Sequence, residues 1–273
     1  MKKGLVISSP DVNHGPLALL SGSFEVKVHK AAQLGYDGIE IMVRDPATLD
    51  WQAIKNILQS TTLEVPQVVT GELFGTDGLA LVTPDTELYQ RALARTRSVI
   101  DFAAWLGAMV NIGRLRGRLD SFNGGSSVWD IGVERLEQIA NYASLQGVKI
   151  TLEPINRYET DFILTAAEGL RFIADLRCDN VGLMLDLFHM NIEEVSIEAA
   201  LRLAGNSLWH VHMADSNRNF PGSGHIQYRP IFTTLKEMGY QGYISAELRP
   251  LPDPDTAAQK TIDFLQTQMN DCS

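Results

Sequence analysis

VKITLEPINR, residues 148–157, is the stretch on which the reading of this chain turns. Val148, Ile150, Thr151 and Leu152 make a short β-branched and apolar run. Pro154 stops it one residue after Glu153, because proline has no N–H to give to a ladder. A carboxylate at the end of a buried strand costs free energy unless a cationic group meets it. Three further apolar runs downstream end in the same manner. GLMLD ends on Asp186, LWHVHM carries His212 near its end, and GYISAE ends on Glu247. The separations of 33, 26 and 35 residues each match about one strand plus one helix.

Working outward, the same alternation covers the whole chain. Strands are expected at 4–8, 38–43, 64–70, 109–112, 148–153, 181–187, 208–213 and 243–248. Helices are expected at 24–35, 50–60, 86–106, 128–145, 166–176, 197–204, 228–238 and 255–269. Asp50 reads as an N-cap, and Gly107, Gly147, Gly205 and Gly239 each close a helix just before the next strand. Eight such units without a linker, a low-complexity tract or a composition break predict one domain over 1–273, a closed parallel (β/α)8 TIM barrel. The loops after strands 3, 4 and 7 are the long ones, on the face where barrels carry function.

The 273 residues are close to the roughly 250 that one barrel uses. A formal net charge of −10 and a pI near 5.1 argue against nucleic acid and against an anionic membrane surface as partners. The start, Lys2-Lys3 followed by Gly4-Leu5-Val6-Ile7, is shorter in its apolar part than a signal sequence needs and reads as the first strand. No run reaches the roughly 20 apolar residues of a membrane span. Two cysteines, Cys178 and Cys272, are too few for a disulfide framework and fit a cytoplasmic protein; neither is given a redox role.

A barrel brings the C-terminal ends of its strands to one rim, so Glu153, Asp186, His212 and Glu247 become neighbours there. Three carboxylates and an imidazole suit one divalent ion, Mn2+ first, with Mg2+, Co2+ or Zn2+ also compatible. Singly, each residue reads more readily as an ion-pair partner or a satisfied core group than as a ligand; four on consecutive strands favour a shared cation. Glu159, His189 and Arg218 follow these strand ends closely and belong to the same face. His210 lies two residues before His212 and points to the same side, deeper in the barrel, as a support rather than a ligand. Asp215 and Asn217 either orient neighbours or shape their loop.

The segments EPINRYE, LDLFHMNIEE, HVHMADSNRNFPGSGHI and AELRP resemble the sugar isomerase/epimerase barrels related to xylose isomerase. The look is that of ketose 3-epimerases of the D-tagatose/D-psicose type. RYETDFI, FHMNIEEV and ADSNR resemble a keto-sugar-acid branch, 5-keto-L-gluconate epimerase, still more closely. The resemblance is strongest over 148–250 and weaker in the N-terminal half. It implies that Glu153, Asp186, His212 and Glu247 ligate a metal and that Glu153 and Glu247 also serve as an acid/base pair. It further implies that Glu159, His189 and Arg218 contact a small sugar, and that the enzyme is a homodimer or homotetramer.

Arg114, Arg116 and Arg118 follow strand 4, three arginines within five residues of an acidic chain. They read either as solvated loop charge or as a clamp for a carboxylate or phosphate at the far end of a sugar, with Arg116 and Arg118 the preferred pair. The expected activity is inversion of the carbon next to the ketone of a ketose or keto-sugar acid. The alternatives are an aldose–ketose or hydroxypyruvate-type isomerase, which would move the proton between adjacent carbons, and a non-catalytic sugar-binding barrel. A repair endonuclease on the same fold would need a basic face that this chain lacks.

Overall fold

The structure, a computed structural model, describes residues 1–13, 15–119 and 128–271. Cys272 and the 120–127 part of the loop after the fourth strand lie outside the described residues. The strands are β1 (Lys2–Ser8), β2 (Gly38–Met42), β3 (Gln67–Val69), β4 (Met109–Ile112), β5 (Ile150–Leu152), β6 (Val181–Asp186), β7 (Leu208–Met213) and β8 (Tyr243–Ala246). All neighbours pair in parallel, and β1 pairs with β8, so the sheet closes into a barrel. The outer helices are α1 (Phe24–Leu34), α2 (Trp51–Gln59), α4 (Thr86–Leu106), α5 (Val128–Leu145), α6 (Ala166–Asp175), α8 (Ile197–Ala204), α9 (Tyr228–Glu237) and α10 (Pro254–Asp271). Among the described residues, no helix is long and apolar enough to cross a membrane.

Local chemistry sets these boundaries. The Asp50 carboxylate accepts from the Ala53 N–H at 2.9 Å and starts α2 as an N-cap. Gly35 and Gly107 close α1 and α4 in the left-handed region, at φ 86° and 74°. β3 and β5 are shorter than the sequence pattern suggests. Pro66 and Pro154 flank them and cannot donate to a neighbouring strand. Two short helices were not anticipated: α3 (Gly71–Gly75) directly after β3, and α7 (Leu187–Glu193) directly after β6. In the second case Asp186 turns the chain, because its Oδ1 accepts from the Phe188 N–H at 2.8 Å.

The main core lies between strands and helices, where Phe102, Phe172 and Phe232 are buried together with the outward side chains of the strands. Each such side chain contributes roughly 1.5–3 kcal/mol on burial. The barrel interior is different. Toward its mouth on the β1–β3 side sits a separate apolar cluster of Val6, Val12, Ala18, Met42 and Val69. Deeper, the interior is polar: Glu40, Gln67, Thr151, His210 and His212 are all fully buried and hydrogen-bonded to one another.

Candidate metal centre and active site

The C-terminal rim from β5 to β8 carries the candidate site. Asp186 and His212 are register partners on β6 and β7. Glu153 and Glu247 lie one residue past β5 and β8, yet the ladder still reaches them: the Glu153 N–H donates to Ile112 O at 3.1 Å, and the Glu247 N–H to Met213 O at 3.3 Å. Each of the four offers one ligand atom, and these atoms lie within 4.8 Å of one another.

The group carries more negative charge than the protein alone neutralises. Asp186 Oδ2 and His212 Nδ1 are buried without a hydrogen-bond partner. An unpaired buried polar atom costs about 1–3 kcal/mol, so two of them in a group with three carboxylates suit a bound cation. Oxygen ligands plus one imidazole fit a hard or borderline divalent ion, which Glu153, Asp186, His212 and Glu247 could hold. Without it, burial and then the charge of Glu247 push Glu153 up to about 8. Burial likewise pushes Asp186 up to about 6. Burial also opposes ionisation of Glu247, but His212 and the Arg218 guanidinium outweigh it and hold that carboxyl below its ordinary value.

His189, on α7, faces the same group. Asn156 Nδ2 donates to His189 Nδ1 at 2.6 Å, which leaves the ring hydrogen on Nε2. That Nε2 sits 3.7 Å from Asp186 Oδ2 and 3.8 Å from Glu153 Oε1. Burial and the nearby Arg218 and Arg116 charges keep this imidazole well below its usual pKa, so it is a neutral donor. Arg218 comes from the loop after β7, where its backbone adopts φ 60°. A non-glycine residue there costs roughly 1–2 kcal/mol, and the surroundings hold it in place. Its N–H donates to Asp215 O, and its carbonyl accepts from Arg249 N, both at 2.7 Å. The Asp215 carboxylate in turn accepts from the N–H groups of Ser216, Gly222 and Ile226, so this residue shapes the loop. Asn217 does the same through Ser223 O and the Asn219 N–H. The guanidinium of Arg218 then reaches Glu159 Oε1 at 2.6 Å and Glu247 Oε2 at 3.2 Å, with its plane over Phe188.

These residues open into a cavity of about 310 Å³, within the range of small-molecule sites. Glu153, Glu159, His189, Arg218 and Glu247 line one side; Pro16, Leu17, Met42, Glu72, Asn111 and Arg114 line the other. A larger hollow of about 540 Å³ lies by Arg44, Arg95 and Asp77, but its charges neutralise one another through the Arg44–Asp77 and Arg95–Asp45 pairs at 2.6 and 2.9 Å.

The expected arginine clamp needs correction. Arg116 is buried, and its guanidinium donates to four backbone carbonyls, those of Gly113, Glu153, Phe162 and Ile163, at 2.7–2.9 Å. Burial lowers its pKa to about 10. It braces the backbone of Glu153 and has no fork left for a substrate. Arg118 is not among the residues lining the cavity. Of these three arginines, Arg114 does line it, with its guanidinium over the Phe74 ring at 5.7 Å. The sequence reading also missed Asn156, which sets the His189 tautomer, and Glu40, whose signal was an acidic residue in the middle of the apolar run GIEIMV.

Comparison with known proteins agrees with this arrangement. Residues 28–268 match the family model described as xylose isomerase-like TIM barrel. L-ribulose 3-epimerase of Methylomonas sp. (strain DH-1) is 32% identical over 219 residues, 80% of this chain and 75% of the relative. 3-Dehydro-D-guloside 4-epimerase of Escherichia coli (strain K12) is 38% identical over 133 residues, covering 48% of this chain and 50% of the relative. A solved L-ribulose 3-epimerase structure superposes with a TM-score of 0.83 at 26% identity, covering 98% of this chain and 95% of that one. The chain therefore belongs to the xylose isomerase-like TIM barrel family, and the relatives named here are epimerases, a class of isomerases.

Proposed function

We propose that this protein is a divalent-metal-dependent epimerase that inverts the carbon next to the ketone of a ketose or of a keto-sugar acid such as 5-keto-L-gluconate. The observation that carries the reading is the buried set Glu153, Asp186, His212 and Glu247 opening into a cavity that also presents His189 and Arg218. When bound there, a divalent cation, Mn2+ foremost, would polarise the ketone and lower the cost of an enediolate. One glutamate removes the proton and the other returns it to the opposite face. Glu153, from the β5 side, and Glu247, from the β8 side, supply that pair, and the bound epimer decides which acts as base. Neutral His189 donates a hydrogen bond to a substrate oxygen, and Arg218, oriented by Glu159, holds a second.

The relatives' names describe related chemistry: one inverts C3 of a 2-ketose, the other C4 of a 3-keto glycoside. Both carbons adjoin a ketone. Arg114, across the cavity, is suited to an anionic far end. By the family resemblance the enzyme is a homodimer or homotetramer, and its two cysteines fit a cytoplasmic location. The test is incubation of the Mn2+-loaded protein in deuterated water with ketoses, ketose phosphates and keto-sugar acids, read by NMR. Deuterium at the inverted carbon with the ketone unmoved supports the epimerase. Deuterium with carbonyl migration means an aldose–ketose isomerase instead, and no exchange with any class leaves a sugar-binding barrel.

A further inference from the structure

We infer that Glu40, on β2 and across the barrel interior from the rim, is a positioning residue for the metal centre: it holds His212 with its hydrogen on Nε2, so that Nδ1 is presented to Glu153, Asp186 and Glu247. The inference rests on the metal reading above and adds a residue to it.

Glu40 is fully buried. Its Oε2 lies 2.9 Å from His212 Nε2 and 2.7 Å from Gln67 Nε2, and its Oε1 lies 2.6 Å from His210 Nε2. Gln67 does not turn its amide round, because its oxygen would then face the Glu40 carboxylate; as placed, its Oε1 accepts from Thr151 Oγ1 at 2.9 Å. Its NH2 therefore faces Glu40, and an amide N–H is a donor and never a ligand. An ionised carboxylate accepts only, so both histidines must donate to it from Nε2. In the neutral form that a metal ligand takes, His212 then has one lone pair, on Nδ1, the atom that is buried without a partner and lies 3.8 Å from Glu247 Oε2.

Glu40, His210 and His212 also form a compact group of metal-ligand types. Their separations of 2.6 and 2.9 Å are those of hydrogen bonds, and the Gln67 donor occupies the same carboxylate. Protons, not a second cation, join this group. His210 is a second donor to the same carboxylate, its ring stacked on Tyr243 with planes 18° apart. Two histidines and an amide thus fix where the Glu40 oxygens sit, and Glu40 fixes the His212 ring. A carboxylate behind a ligating histidine orients the ring and raises its basicity, and losing such a partner typically costs about 10–100-fold in metal affinity.

The test is Glu40→Gln, which keeps the shape and removes an acceptor. Unaltered and variant apoproteins, both shown folded by circular dichroism in chelator, are titrated with Mn2+ by calorimetry, and their Co2+ forms are compared by visible absorption. The expected result is a Kd weaker by about 10–100-fold with a changed Co2+ spectrum. Equal Kd values and superimposable spectra would overturn the inference while leaving the metal reading intact. Failure of the unaltered protein to bind any divalent ion would remove both. Should Glu40→Gln not fold, 15N NMR of the unaltered Zn2+-loaded protein decides: a proton on His212 Nε2 supports the assignment, and one on Nδ1 defeats it.

Discussion

At the mouth of the barrel, β5–β8 end on Glu153, Asp186, His212 and Glu247, whereas β1–β4 bring Met42, Gly71, Asn111 and Gly113 to the cavity. The first half concentrates charge that the protein leaves unsatisfied. The second sets the Glu72 and Arg114 side chains among small, apolar or neutral residues, above the cluster of Val6, Val12 and Val69. The two are fitted to each other: a Cβ at Gly113 would collide with Glu153 Oε2, so only glycine leaves that carboxylate its place. On the proposed function, one half would grip a cation and move protons, and the other would make room for the molecule on which they act.

The largest effect expected from breaking this division is Glu247→Gln. Removing one member of the proton-transferring pair should lower kcat by roughly 10²–10⁴-fold at saturating Mn2+; a value near that of the unaltered enzyme would exclude Glu247 from the chemistry. Next is Arg116→Ala, which strands four buried carbonyls and should cost about 3 kcal/mol or more in urea unfolding. Unchanged stability together with a raised KM would return Arg116 to the substrate side.

The third contrast concerns pH. In the cation-free protein, Glu153 and Asp186 are raised to about 8 and about 6. A raised carboxyl favours folding while it is protonated, so that contribution is lost as pH climbs from the ordinary carboxylate range through 8. A divalent cation replaces those protons, so its affinity should tighten by up to about tenfold per pH unit for each proton displaced. The difference in Tm between Mn2+ and chelator should therefore widen from pH 5.5 to 8; a constant gap would mean that the cation does not sit on these groups. The smallest effect is Arg114→Ala, expected to raise KM about tenfold for keto-sugar acids and to leave neutral ketoses unaffected. Equal changes for both would deny the anionic end.

What could be read from the sequence follows the same division. The alternation of apolar runs and amphipathic stretches places α4, β4, α5, α8 and β7 at their observed limits. The four rim residues are visible because a charge ending an apolar run is conspicuous. The preference for Arg116 and Arg118 over Arg114 as the clamp went the wrong way. Arg114 and Arg116 are the two ends of one turn of a 3-10 helix, and only packing shows that Arg116 faces carbonyls and Arg114 the cavity. α3 and α7 were missed because five and seven residues are too few to establish a helical period. Glu40 was overlooked because its partners come from β7, 170 and 172 residues away.

The Arg116 brace has a further consequence. It ties the carbonyl of Glu153 to those of Phe162 and Ile163, in the stretch before α6. The residue at 114 is free of that obligation. On the proposed function, a descendant of this enzyme could therefore exchange the side chain at 114 for another and acquire a taste for a different sugar, while the neighbouring guanidinium kept the Glu153 backbone in place.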